Sequence, residues 1–151
     1  MPQPRSSTAV TDIAEVCAAL ADPTRLRILS LLADGEICVC HIHESLDIPQ
    51  PTASRHLAYL RRTGLVQTRR AGLWVHYRVA DSLAPQVRHA LDAVLHAVGH
   101  CPEPVADGRQ LARTTGRPVT TMVSRVAGCC APPEPTATPR TRRSSSPRLT
   151  P

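Results

Sequence analysis

Phenylalanine and lysine are both absent from this chain, and its aromatic residues amount to one tryptophan and two tyrosines. The core must therefore be assembled from Leu, Ile, Val and Ala. With 151 residues, one small domain with appendages is expected, and small domains bury proportionately little surface. Pairing with a second copy would relieve that deficit. No apolar run approaches the roughly 20 residues that span a bilayer, and residues 1–10 lack the apolar stretch of a secretion signal. A cytoplasmic protein with no membrane partner is expected. In a reducing compartment its six cysteines read as ligands or core residues rather than as a disulfide framework.

Acidic residues are missing where basic ones gather. Seven of the twelve acids precede Ile48, whereas residues 48–80 hold none. The same stretch carries Arg55, Arg61, Arg62, Arg69, Arg70 and Arg78. A one-signed segment inside a folded domain points to a polyanion partner, and arginine suits both phosphate and guanine. Arginine-favouring codons in a GC-rich genome would account for arginine over lysine, but not for the missing acids.

Ile13, Val16, Cys17 and Leu20 recur at helical spacing, which makes Cys17 a core residue. Asp22-Pro23 is an N-cap followed by proline in the first turn; it opens a second helix through Leu26, Ile28, Leu29 and Leu32. A third helix is expected over 37–46, with Val39, Ile42 and Leu46 on one side, then a turn at 47–49. A fourth helix over 50–62 starts at Gln50-Pro51 and ends before Gly64, a C-terminal glycine stop. The period then changes to two. Leu73, Val75, Tyr77 and Val79 alternate with Trp74, His76 and Arg78, and Ala71-Gly72 supplies the turn of a hairpin. A last helix is expected over 82–99. Pro102 and Pro104 break it, and 106–125 is expected to hold at most a short helix or strand. Residues 131–151, nearly all Pro, Thr, Ser and Arg, cannot bury enough apolar surface to fold. The expected organisation is a flexible 1–10, a domain over 11–100, an extension over 101–130 and a disordered tail over 131–151.

Helix, turn, basic amphipathic helix and then a hairpin with arginines at its tip is the layout of a winged helix-turn-helix, a mainly α fold with a β-hairpin wing. In that layout the second helix of the pair enters the major groove of double-stranded DNA by its N-terminal end. Gln50, Thr52, Ser54 and Arg55 would reach base edges, followed by His56 and Tyr59. Arg55 suits a bidentate contact to guanine and Gln50 one to adenine. Arg62 and the wing residues Arg69 and Arg70 suit phosphates, which position a protein without reading sequence.

Four segments carry a resemblance: Ala21-Asp22-Pro23-Thr24-Arg25, Glu36-Ile37-Cys38-Val39-Cys40, Gln50-Pro51-Thr52-Ala53-Ser54-Arg55-His56-Leu57 and Gly72-Leu73-Trp74-Val75-His76-Tyr77-Arg78. In this order and spacing over roughly residues 10–100, the chain resembles the ArsR/SmtB family of metalloregulatory repressors. The resemblance implies a homodimer with an α-helical interface made by the first and last helices. It also implies release of a palindromic operator when a metal or metalloid binds.

Cys38-Val39-Cys40 is similar to the thiolate motif of the arsenic-sensing members, which implies As(III) or Sb(III) as inducer. On a helix, residues i and i+2 lie about 200° apart. Both thiols can take one ion only if the first turn of the third helix distorts, and such a distortion would bias the reader packed against it. Soft thiolates also suit Zn(II), Cd(II) or Pb(II), and buried free cysteine is a common small hydrophobe. The family's third thiolate falls three residues after the second cysteine, where this chain has His43, a weaker candidate ligand. The vicinal pair Cys129-Cys130 is the other expected source. His89, Asp92, His96 and His100 share one stripe of the last helix, where solvated histidines are the commoner explanation than a metal site. Two rivals remain, a zinc, cadmium or lead sensor of the same fold and a thiol redox switch. A thiol enzyme has little support, since no anion-binding loop accompanies the cysteines.

Overall fold

A computed structural model describes residues 9–116. The Cys129-Cys130 pair and the tail over 131–151 lie outside the described residues. In chain order the elements are α1 (Val10–Leu20), α2 (Pro23–Ala33), β1 (Ile37–Cys38), α3 (Val39–Leu46), α4 (Gln50–Arg62), β2 (Val66–Ala71), β3 (Trp74–Val79), α5 (Pro85–Val98) and α6 (Pro102–Thr115). The mainly helical winged helix-turn-helix read from the sequence is present.

Local chemistry places the boundaries. Asp22 caps α2, its carboxylate accepting from the backbone N–H of Arg25 at 2.8 Å, and Pro23 follows where no N–H is needed. Asp47 ends α3 in the left-handed region, φ 52°, which short polar side chains tolerate. Pro51 sits in the first turn of α4, so the α3–α4 turn is closed from both sides.

Ile28, Leu29, Leu31 and Leu32 of α2 form the middle of the core. Ile42 and Leu46 from α3, Leu57 and Leu60 from α4, and Val87 and Leu91 from α5 pack around them. Each such side chain contributes about 1.5–3 kcal/mol by leaving water, so an all-aliphatic core suffices without phenylalanine.

Three sequence expectations are corrected. The third helix begins at Val39 rather than Ile37, because Ile37 and Cys38 form a strand on the open edge of the hairpin. They pair antiparallel with β3, Ile37 opposite Tyr77 and Cys38 opposite His76. The wing is thus a three-stranded sheet of order β1-β3-β2. Second, Pro102 and Pro104 do not merely stop a helix. Pro102 starts α6 behind an extended Cys101, since proline fits a first turn as well as it ends the preceding run. α6 buries Leu111 in the core. Third, Cys17 is exposed. α1 turns Val16 and Ala19 inward, so Val10, Ile13 and Cys17 face out, with Val10 at 86% exposure.

A partly buried ion pair docks α6. Arg27 of α2 donates from Nε and Nη2 to the two oxygens of Asp107, at 2.8 and 2.6 Å. The same Nη2 donates to the Leu46 carbonyl at the end of α3, at 3.1 Å. Asp107 is 4% exposed. One guanidinium thereby ties α2, α3 and α6 together.

Candidate thiol site and nucleic-acid interface

Cys38 is both the last residue of β1 and the N-cap of α3, with extended backbone at φ −71°, ψ 145°. A helical rotation of 100° per residue does not apply across that junction, and the two sulfurs converge. The Cys40 thiol donates to the Cys38 sulfur at 2.8 Å. The sequence expectation that the first turn must unwind to bring them together is therefore corrected. Two thiolates sharing a tetrahedral ion at about 2.3 Å each stand about 3.8 Å apart, close to an ordinary contact between two sulfurs, so one ion can bridge the pair. Cys38 is buried and Cys40 half-buried.

His43 lies one turn further along α3 and is half-buried. Among the described residues, no group of three or more Cys, His, Asp or Glu side chains is arranged to hold a metal ion. α5 ends at Val98, so His100 lies in the turn past the helix rather than on the stripe expected for it, where its ring meets that of His96 edge to face, centroids 5.1 Å apart.

A polar cluster adjoins the thiols. Across the sheet, Cys38, His76 and Arg69 occupy one row, because His76 is opposite Cys38 on one side and Arg69 on the other. Directly opposed residues share a face. Glu36, two residues before Cys38, falls on that face by strand alternation. Its Oε1 accepts from Arg69 Nε at 2.9 Å and from Nη2 at 2.5 Å, and lies 3.7 Å from His76 Nδ1. Burial holds the His76 pKa below the ordinary histidine value; Glu36 opposes the shift, while Arg69 and His41 reinforce it.

With the folded pKa of His76 depressed, the unfolded chain binds the proton more tightly, so stability is full above about pH 6.5 and is lost as pH falls below it. Thermal melts between pH 7.5 and 5 should show a falling midpoint, and His76→Gln should flatten the decline. An equal decline in both proteins would remove His76 as its source.

The reader helix α4 buries Ala53, Leu57 and Leu60. Gln50 and Arg55 are exposed, and Thr52 and Ser54 half-buried, toward its N-terminal end; Arg55 Nη2 lies 3.4 Å from the Thr52 hydroxyl. His56 and Tyr59 also contact residues of the α1–α2 region. His56 Nδ1 is 3.6 Å from Asp22. The Tyr59 ring packs with two guanidinium groups, Arg25 at 4.4 Å and Arg62 at 4.7 Å from its centre. Arg25 also donates to the Ala18 and Ala19 carbonyls at the end of α1, so Tyr59 links the reader to α1. Arg55, Ala58, Tyr59, Arg61 and Arg62 line an open depression of about 540 Å³. Arg61, which is not among the DNA contacts expected from the sequence, thus joins the basic surface.

The acid-free stretch is not free of acids in space. Glu36 reaches Arg69, and Asp81 pairs with Arg78 at 2.6 Å. Among the described residues, no carboxylate pairs with Arg55, Arg61, Arg62 or Arg70. Arg70 is exposed beside the wing tip, where Leu73 is 97% exposed and Trp74 is also open to solvent. No described helix is long and apolar enough to cross a membrane.

This arrangement has known counterparts. Residues 22–68 match the model of the bacterial regulatory proteins of the arsR family. The arsenic resistance transcriptional regulator ArsR2 of Pseudomonas putida is 39% identical over 118 residues, covering 77% of this chain and 96% of that one. ArsR1 of the same organism, also an arsenic resistance transcriptional regulator, is 46% identical over 84 residues, 55% of this chain; the match spans 62% of ArsR1's own length. In structure the chain is similar to the homodimeric winged helix-turn-helix DNA-binding domain of Mb0332 from Mycobacterium bovis. The TM-score there is 0.53 at 35% identity, covering 66% of this chain and 91% of that one. Sequence, fold and basic reader agree: the chain belongs to the arsR family of bacterial regulatory proteins, as a DNA-binding transcription regulator and not an enzyme.

Proposed function

We propose that this regulator represses from its operator when free of ligand and releases it when Cys38 and Cys40 capture As(III) or Sb(III), controlling arsenic-resistance genes. The observation that carries the reading is the 2.8 Å approach of the two sulfurs at the head of α3, the helix that precedes and packs on the reader. The names of ArsR1 and ArsR2 point to the same inducer. Each thiol proton leaves with an arsenite hydroxyl as water, so capture adds no net charge. The third ligand comes from Cys129 or Cys130, with His43 the weaker candidate. A second copy covers the outward apolar edge of α1, placing one reader in each half-site. Gln50, Thr52, Ser54 and Arg55 meet base edges, and Arg61, Arg62 and Arg70 meet phosphates.

The test is operator affinity at fixed salt with and without sodium arsenite. A loss of tenfold or more is expected, with a thiolate absorption band appearing at the same stoichiometry. No loss would sink the reading. Two further readings share the sulfur geometry. A Zn(II), Cd(II) or Pb(II) sensor would instead release thiol protons on binding, measurable by calorimetry in buffers of different ionisation heat. A redox switch would release DNA under peroxide with metal excluded.

A further inference from the structure

We propose that Glu36 and Arg69 form a strut between the thiol-bearing strand and the wing, so that Arg69 serves as a positioning residue rather than a phosphate contact. The inference rests on the sensing function proposed for Cys38 and Cys40. Arg69 and Arg70 are neighbours in β2 and look alike in sequence, yet only one of them points at the sheet row that contains Cys38. Arg69 donates twice to a single oxygen of Glu36, whose side chain is 12% exposed. Arg70 stands exposed on the other face, as alternation along a strand requires. A guanidinium committed to a largely buried carboxylate gives up the counterion release that a phosphate contact would bring.

The strut also has a mechanical consequence. Glu36 is two residues from Cys38 in extended backbone and on the same face, so any opening of the sulfur pair displaces the carboxylate. Arg69 sits across the sheet from His76, which itself pairs with Cys38. A movement at the thiols therefore reaches β2 by two parallel routes, the backbone ladder and the Glu36 carboxylate. β2 carries Arg70 and the wing tip. The ion pair lets a small displacement at the thiols reorient the wing against DNA, beside whatever α3 transmits to α4.

Salt dependence of operator binding separates the two arginines. In ligand-free protein, Arg70→Gln should lower the slope of log affinity against log salt by about 0.9, the value for one phosphate contact, and Arg69→Gln should leave it within about 0.2. Equal reductions in both would overturn the proposal. The coupling arm uses Glu36→Gln, which keeps the shape and removes the charge. With the arsenite thiolate band intact, its arsenite-driven loss of operator affinity should be at least tenfold smaller than in the natural chain. Arg69→Lys, which keeps the charge but not the double donation, should fall between them and replaces Glu36→Gln if that variant folds poorly. An undiminished loss in the variant used would overturn the strut. If arsenite leaves even the natural chain on its operator, the sensing function fails by itself, and the salt slopes still decide the role of Arg69.

Discussion

Cys40→Ser is expected to abolish arsenite-driven release of the operator while leaving ligand-free binding within about twofold. Cys40 is half-buried in the first turn of α3, where a hydroxyl of similar size meets water and the backbone without strain. Oxygen is a poor donor to soft ions, so one sulfur remains where two had converged. Loss of a ligand in the inner shell should weaken arsenite binding more than roughly 100-fold, the upper end for losing a supporting contact. Anisotropy of a labelled operator at fixed salt reads both quantities from one titration. Cys38 needs a different substitution, because it is fully buried and a stranded hydroxyl there would cost about 1–3 kcal/mol. Cys38→Ala avoids that cost and should give the same loss of response. Full induction in either variant would show that the pair is a packing feature and that sensing lies elsewhere.

Arg27→Met is expected to destabilise the protein by about 3 kcal/mol, the effect of stranding one partner of a buried pair. Asp107 would keep its carboxylate at 4% exposure with both guanidinium bonds gone, and the Leu46 carbonyl would lose a donor. The exposed edge of Arg27 cannot soften this, since the stranded charge is the buried one. α6 should detach first, because Asp107 is its polar anchor and Leu111 its fully buried apolar one. Urea unfolding at fixed protein concentration gives the number, and combining Arg27→Met with Asp107→Leu should recover most of it. A loss below about 1 kcal/mol in the single variant would mean that α6 holds on by apolar contact alone.

The winged helix-turn-helix was legible because each of its main elements carries a strong local signal. Helical periodicity runs through α2, α4 and α5, prolines and an aspartate mark the helix starts, Gly64 marks a stop, and the period changes to two in the hairpin. The cysteine pair was legible as chemistry but not as geometry. A two-residue strand has no period of its own, so the placement of Ile37 and Cys38 was set by the open edge of β3. That placement turned Cys38 to meet Cys40.

Charge patterning misled in a related way. Residues 48–80 are free of acids along the chain, yet the sheet brings Glu36 onto Arg69, and a hairpin end brings Asp81 onto Arg78. Position on the reader helix suggested DNA contacts for His56 and Tyr59, while Asp22 and Arg25, from the α1–α2 junction, lie against them. α6 was hidden because an inward-facing aspartate breaks the apolar pattern, and its arginine partner lies eighty residues away in sequence.

The sequence by itself determined the helices α1 to α5, the β2–β3 hairpin, where the reader lies and which residues offer soft-ligand chemistry, because helix periodicity, capping and residue identity act within a few neighbouring residues. Only the tertiary structure decided which thiols meet, which arginines remain without a carboxylate partner and what docks α6. Those outcomes depend on pairings between distant segments, where desolvation and hydrogen-bond geometry select one partner among several that the chain offers.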